Sequence, residues 1–229
     1  MLFQKKKSLY RGNLFIRIST RREIFPVRIP CLIRYMRLFL QAIKSNTKSY
    51  FTDCPHREKL GWLEQTHLIG PSIMYNLDVH NLYAKIEGDM ADSQRENGLI
   101  PDICPEYVTG FDKWHKGFLD SPEWGSACVL APWYAYKRYG DLPLLEKYFP
   151  VMKKYVEYLS SKTHHEVLHH GLGDWLDIGP CTPHSQNTPV PVVATCIYYY
   201  DLQIMAKIST ASREKRGCRS VSEENETGI

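Results

Sequence analysis

The chain has 229 residues, enough for one domain with a substantial core or for part of a larger one, and its make-up is that of a globular protein, 43% hydrophobic and 24% charged. The net charge of +4 conceals an uneven spread: residues 1–48 carry twelve Lys or Arg against the single acid Glu23, while residues 49–208 carry thirteen bases against twenty acids. An acidic body that also holds all five tryptophans (62, 114, 124, 133 and 175) suits a neutral ligand, and no nucleic acid is expected as a partner.

No apolar run reaches the roughly 18 residues needed to span a bilayer, because Arg34 and Arg37 interrupt Leu32 to Ile43, so no membrane partner is expected either. The start lacks the apolar stretch and small-residue cleavage site of a secretory signal, so an export signal is absent or lost: cytoplasmic is the default, and a periplasmic or secreted location stays open. Seven cysteines (31, 54, 104, 128, 181, 196 and 218), an odd number without a C-x-x-C pair, speak against a zinc knuckle and a disulfide scaffold.

Residues 1–29 show no clean period. From Cys31 to Lys44, apolar residues at Leu32, Ile33, Met36, Phe39, Leu40 and Ile43 follow the helical repeat and predict an amphipathic helix. A second helix is expected from Glu58 to Tyr75, kinked at Gly70-Pro71, and a third near Asn81 to Arg95, stopped by Asn97-Gly98. Residues 99–120 lack a sustained period and read as a binding loop. Ser121-Pro122-Glu123 reads as the start of a helix ending at Gly140, and Asp141-Leu142-Pro143 opens another to about Ser161. A loop from His164 to Pro191 and a helix from about Val192 to Ile208 follow, and the polar, charged residues 210–229 suggest a disordered tail. The fold class is mainly α.

Three stretches concentrate chemistry. Asp53-Cys-Pro-His-Arg-Glu-Lys-Leu-Gly-Trp-Leu-Glu-Gln combines Asp53, Arg57, Glu58, Trp62 and Glu64, and helical spacing would place Glu58 and Trp62 on one face. Asp120 to Trp124 and Gly173-Asp-Trp-Leu-Asp-Ile-Gly-Pro repeat the pairing of carboxylate with indole. An indole packs against a sugar ring while a carboxylic acid protonates the glycosidic oxygen, so three such groups point to a carbohydrate cleft. The competing motif is His165-Glu166-Val-Leu-His169, which matches H-E-x-x-H of zinc peptidases. Gly171 and Gly173 follow it directly and no third ligand does, so a His-rich turn is expected, with no metal and no cofactor.

The three stretches in this order resemble the catalytic domain of the bacterial α-L-rhamnosidases, glycoside hydrolase family 78, over about residues 42–209. The resemblance implies an (α/α)6 barrel, a toroid of six helical hairpins, that removes terminal α-L-rhamnose with inversion at the anomeric carbon. It implies Glu58 as the general acid, with Asp53, Arg57, Trp62, Trp124 and Trp175 holding the sugar. Many members have one more acidic residue between the positions of Arg57 and Trp62, and Gly-Asp where this chain has Glu64-Gln65; Glu64 is expected to supply that carboxylate, and Asp174 joins the substrate-binding set. The basic segment 1–41 and the tail 210–229 look foreign to the family.

A twelve-helix toroid needs at least roughly 200 residues before its rim loops are added, so residues 42–209 read as about its first half. The family's general base, a Glu, falls beyond that half; Glu123 and Asp177 are both open as substitutes. Half a toroid should expose helix faces built to be buried. The expected partner is a rhamnose-containing carbohydrate, and the alternatives are a rhamnose-binding protein without catalysis and, from His165-Glu166-x-x-His169, a zinc peptidase.

Overall fold

The computed structural model describes residues 29–226 apart from 109, 111, 112, 114 and 115, with side chains as far as Ala211. Most of the basic segment 1–41, and Trp114, lie outside the described residues. Helix α1 runs from Pro30 to Asn46, with proline in its first turn. Its last carbonyls are satisfied locally: Ser45 Oγ and Asn46 Nδ2 both donate to the Ala42 carbonyl at 2.9 Å, and Thr47 Oγ1 donates to Ile43 at 2.6 Å. Ile43 is buried, and Phe39 and Leu40 pack against the core, whereas Leu32, Ile33, Tyr35 and Leu38 are exposed.

The expected helix from Glu58 to Tyr75 is not one helix, and its first third is not helical. Residues 54–59 form a tight turn in which the Cys54 carbonyl accepts from Arg57 N at 3.2 Å and Lys59 N at 2.9 Å. Lys59 sits at φ 60°. Gly61 to Leu63 then pair with 102–104 in a short antiparallel contact, Cys104 N donating to Gly61 O at 3.0 Å and Leu63 N to Asp102 O at 2.9 Å. Gly61 permits this approach, because a Cβ there would stand 2.6 Å from the Cys104 carbonyl oxygen. Helix α2 (Glu64–Leu68) follows, and α3 (Gly70–Asn76) begins at the glycine and proline expected to kink a longer helix.

The remaining helices start and stop near the expected positions. Helix α4 spans His80–Ser93, and beyond it Gly98 at φ 101° closes the turn against the Lys154 carbonyl. Pro122–Gly125 form the short α5 and Ala127–Tyr139 the longer α6. Gly140 is left-handed at φ 73°, and Asp141 caps α7 (Leu142–Ser161) by accepting from Leu144 N at 3.0 Å. Helix α8 runs from Val190 to Glu226, through the stretch whose charge suggested a disordered tail. No proline interrupts it, and Ala211, Arg213, Glu214, Lys215 and Arg216 are all good helix formers.

Helix α6 is the centre. It packs against α2, α3, α4, α7 and α8, and its Ala127, Val129 and Ala131 are fully buried, small or narrow side chains that let several helices approach one axis. Among the described residues there are no strands, only isolated bridges, so the class is mainly α as expected. None of the described helices is long and apolar enough to cross a membrane. The loops 47–63, 94–121 and 162–189 connect these helices and carry Asp53 to Trp62, Asp120, and Gly173 to Asp177, while Glu123 and Trp124 lie on α5.

Candidate active site

The first stretch builds its site from a turn. The hydroxyls of Tyr50 and Tyr107 both donate to the Lys59 carbonyl, and they meet each other at 3.0 Å. This fixes the left-handed Lys59 and swings Glu58 back toward Trp62, whose Nε1–H donates to Glu58 Oε2 at 2.8 Å. The contact expected from helical spacing therefore exists, but a turn makes it. Asp53, Cys54 and Glu58 each bring one atom within 4.8 Å of the others, and among the described residues this is the one group of three able to gather a metal ion. Desolvation, then Asp53 and Glu58, push the Cys54 thiol up.

The electrostatics of this group are those of crowded acids. Asp53 has its carboxyl raised, first by desolvation and then by Glu58. Glu64, at the start of α2, is raised by burial and then by Asp53. Arg57 is exposed on the same turn.

An aromatic run leads from here to the third stretch. The Trp62 and Phe118 rings lie 6.0 Å apart, Phe118 meets Trp175 edge-on at 5.3 Å, and Trp175 meets His184 edge-on at 5.7 Å. Phe118 closes the short 3-10 turn Lys116–Phe118 and joins two tryptophans that are far apart in sequence. Asp174 is exposed beside Trp175.

The second stretch is different. Trp124 is only 4% exposed and belongs to the core, so it offers a ligand no open face. Asp120 Oδ2 accepts from Tyr158 Oη at 2.7 Å and Lys162 Nζ at 2.6 Å, and His170 Nε2 lies 3.4 Å from Oδ1. Burial alone would raise the Asp120 carboxyl, but these donors outweigh it and hold it at about 2. Glu123 is buried, Oε1 accepting the Gly173 N–H at 2.9 Å while Oε2 has no partner, and burial pushes its carboxyl up to about 7.

Asp177 holds a loop together, accepting from Gln186 N at 2.9 Å, Asn187 N at 2.7 Å and Asn187 Nδ2 at 2.7 Å. The zinc motif is not assembled. His165 and Glu166 sit at φ 49° and 63° in a two-residue turn, closed by His164 and Val167 bonding to each other at 2.9 and 3.1 Å, so the two histidines do not share a helix face.

A sequence model of the bacterial α-L-rhamnosidase six-hairpin glycosidase domain matches residues 28–226. The chain belongs to this α-L-rhamnosidase family. An α-L-rhamnosidase of Formosa agariphila is 30% identical over 167 residues, covering 72% of this chain and 17% of that protein. The structure of the α-L-rhamnosidase from Dictyoglumus thermophilum superposes with a TM-score of 0.73 at 28% identity, over 86% of this chain and 22% of that one. The Streptomyces avermitilis α-L-rhamnosidase complexed with L-rhamnose gives 0.72 at 26% identity, over 82% and 17%. This rhamnosidase-family chain thus spans about a fifth of the relatives it matches, and the six-hairpin class agrees with the helical core.

For the family member, the match runs beyond residues 42–209 at both ends. The structure brings Asp53, Glu58, Trp62 and Glu64 together and links them through Phe118 to Trp175. Sequence reasoning missed Phe118 and His184, which belong to no motif; the one signal for Phe118 was the aperiodic loop around it.

Proposed function

We propose that this chain supplies the proton-donating side and the aromatic platform of a glycosidase centre that cleaves terminal α-L-rhamnosyl bonds. The observation that carries the reading is Glu58, held at 2.8 Å by the Trp62 indole and crowded by Asp53, at one end of the run through Phe118 to Trp175. Desolvation, then the neighbouring Glu58, raises the Asp53 carboxyl beside it. Glu58 gives its proton to the leaving oxygen while Trp62 and Trp175 pack the sugar's apolar faces, with Asp53 and Arg57 bonding its hydroxyls.

Inversion needs a second carboxylate across the sugar, about 6.5–9.5 Å from the acid, so that a water fits between. Asp53 lies within 4.8 Å of Glu58 on the same loop, so the two serve one side of the bond. Asp177 is committed to Gln186 and Asn187, and Glu123 is bonded to Gly173 in the interior, so neither is assigned as base.

The test is calorimetry with L-rhamnose beside release of p-nitrophenol from p-nitrophenyl α-L-rhamnoside. Trp62→Ala should abolish binding, and Glu58→Gln should keep binding while losing turnover. Absence of rhamnose binding overturns the site, and undiminished turnover by Glu58→Gln removes Glu58 from the acid role. Binding without any turnover by the unaltered chain would leave the rhamnose-binding reading in place of the hydrolase.

A further inference from the structure

Glu123 has no part in the proton donation just described, yet its carbonyl and its carboxyl each hold a different element of the site. Its main chain faces one wall of the site and its side chain the other. The Glu123 carbonyl oxygen accepts from His67 Nε2 at 2.7 Å, and His67 lies on α2, one turn beyond the ladder that places Trp62. Burial holds the His67 imidazole down at about 4, so it is neutral, with its proton on Nε2. The Glu123 carboxyl crosses to the other wall and accepts from Gly173 N at 2.9 Å. The Gly173 carbonyl in turn accepts from Trp175 N at 3.0 Å, which closes the turn that presents Trp175.

The loop is shaped to receive this carboxyl. Gly171 adopts φ +127°, and a Cβ there would stand 2.6 Å from Glu123 Oε2, so the backbone lies directly over the acid. Oε2 has no hydrogen-bond partner; the backbone N–H groups of Glu123 and Leu172 also favour the carboxylate, but the 2.9 Å bond from Gly173 N is the one that reaches the Trp175 turn. The ionisable groups around Glu123 are His67 on α2, Asp102 and Asp120 on the incoming loop, His170 on the same loop as Gly173, and Asp201 on α8, which packs against α5. Asp120 is already satisfied by Tyr158 and Lys162, and Asp201 Oδ2 accepts from Ser126 Oγ while its Oδ1 has no partner.

We propose that Glu123 is a positioning residue for the sugar platform: by accepting the Gly173 N–H it sets the Gly173–Trp175 turn against Phe118 and Trp62, and so fixes the spacing of the two indoles. The inference rests on the proposed rhamnoside site for its meaning in binding, but its geometric part is independent of that reading. The requirement is length and an acceptor, with no need for charge. Glutamine meets it, whereas alanine has no acceptor and aspartate falls one methylene short.

The test compares Glu123→Gln, Glu123→Asp and Glu123→Ala with the unaltered chain by near-ultraviolet circular dichroism, using Trp175→Phe to identify the Trp175 contribution. Calorimetric affinity for L-rhamnose is measured alongside. Glu123→Gln should keep the Trp175 signature and an affinity within twofold. Glu123→Asp and Glu123→Ala should lose the signature and bind about tenfold more weakly, as expected for the loss of one buried hydrogen bond that orders a loop. If Glu123→Ala fails to fold by far-ultraviolet dichroism, the aspartate variant decides. Retention of the Trp175 signature in a folded aspartate or alanine variant, or its loss in the glutamine variant, overturns the proposal. If no variant and no unaltered chain binds rhamnose, the site reading fails while the dichroism still decides the role of Glu123.

Discussion

Glu87 allows a quantitative test of how the helical core tolerates a buried acid. It lies midway along α4, only 2% exposed, at the contact between α4 and α7, and neither carboxylate oxygen has a hydrogen-bond partner. Burial raises its carboxyl first and Asp141 at the start of α7 raises it further, while Lys147 partly opposes them; the result is about 8 against an ordinary 4.5. Because the folded chain holds this proton more tightly than the unfolded chain, stability is complete below about pH 4.5. It falls as pH rises through the interval up to 8, where only the unfolded state releases the proton. At 1.36 kcal/mol per unit, the loss between pH 5 and pH 9 is on the order of 4 kcal/mol. For a chain of this size that corresponds to roughly 10 °C in Tm. Glu87→Gln removes the titration and keeps the shape. The expected result, from thermal melts at half-unit steps of pH, is a curve flatter than that of the unaltered chain by about that amount, the two converging near pH 5. Parallel curves from pH 5 to 9 would refute the assignment of Glu87 as a proton held by burial.

Gly61→Ala places a Cβ 2.6 Å from the Cys104 carbonyl and 2.8 Å from the Tyr50 ring, so the ladder that sets Trp62 must part; a loss of about 2 kcal/mol is expected from the denaturant midpoint, and an unchanged midpoint would count against it. Asp177→Ala releases the backbone N–H groups of Asn187 and Gln186, and limited proteolysis should then cut within 174–187 several times faster, equal rates telling against the clamp. The donors from Asn187 and Gln186 hold the Asp177 carboxyl at about 2, so its grip is present above the ordinary value of 3.8 and is lost only as pH falls through 2; proteolysis by an acid protease at pH 3.5 should still distinguish the variant.

The helices were legible where chemistry marks their ends. Gly140 supplies the left-handed residue that stops α6, and Asp141 supplies an acceptor for the first turn of α7; both effects are local, so sequence alone shows them. The segment from Glu58 to Leu63 was illegible for the opposite reason. Its conformation is fixed by Tyr50, Tyr107 and Cys104, up to 48 residues away, which bind the Lys59 and Gly61 carbonyls and override a spacing that looks helical. The end of α8 is a third case, where charge without period suggested disorder and the helix runs on to Glu226.

The three stretches that looked alike in sequence, each a carboxylate beside an indole, separate once their bonds are counted. Asp120 and Asp177 have their lone pairs taken by several donors each, which lowers both carboxyls and commits them to holding loops. Glu123 is buried, Oε1 held by Gly173 N at 2.9 Å and Oε2 without a partner, which suits an acid that spaces two walls. Glu58 is exposed, accepts from the Trp62 indole, and lies beside Asp53, so it keeps capacity for a ligand. The composition of each stretch shows where acids and indoles meet. Which acid performs chemistry depends on how many protein donors reach it, and those donors arrive from 158, 162, 173, 186 and 187, positions outside or at the margin of the motif each one serves.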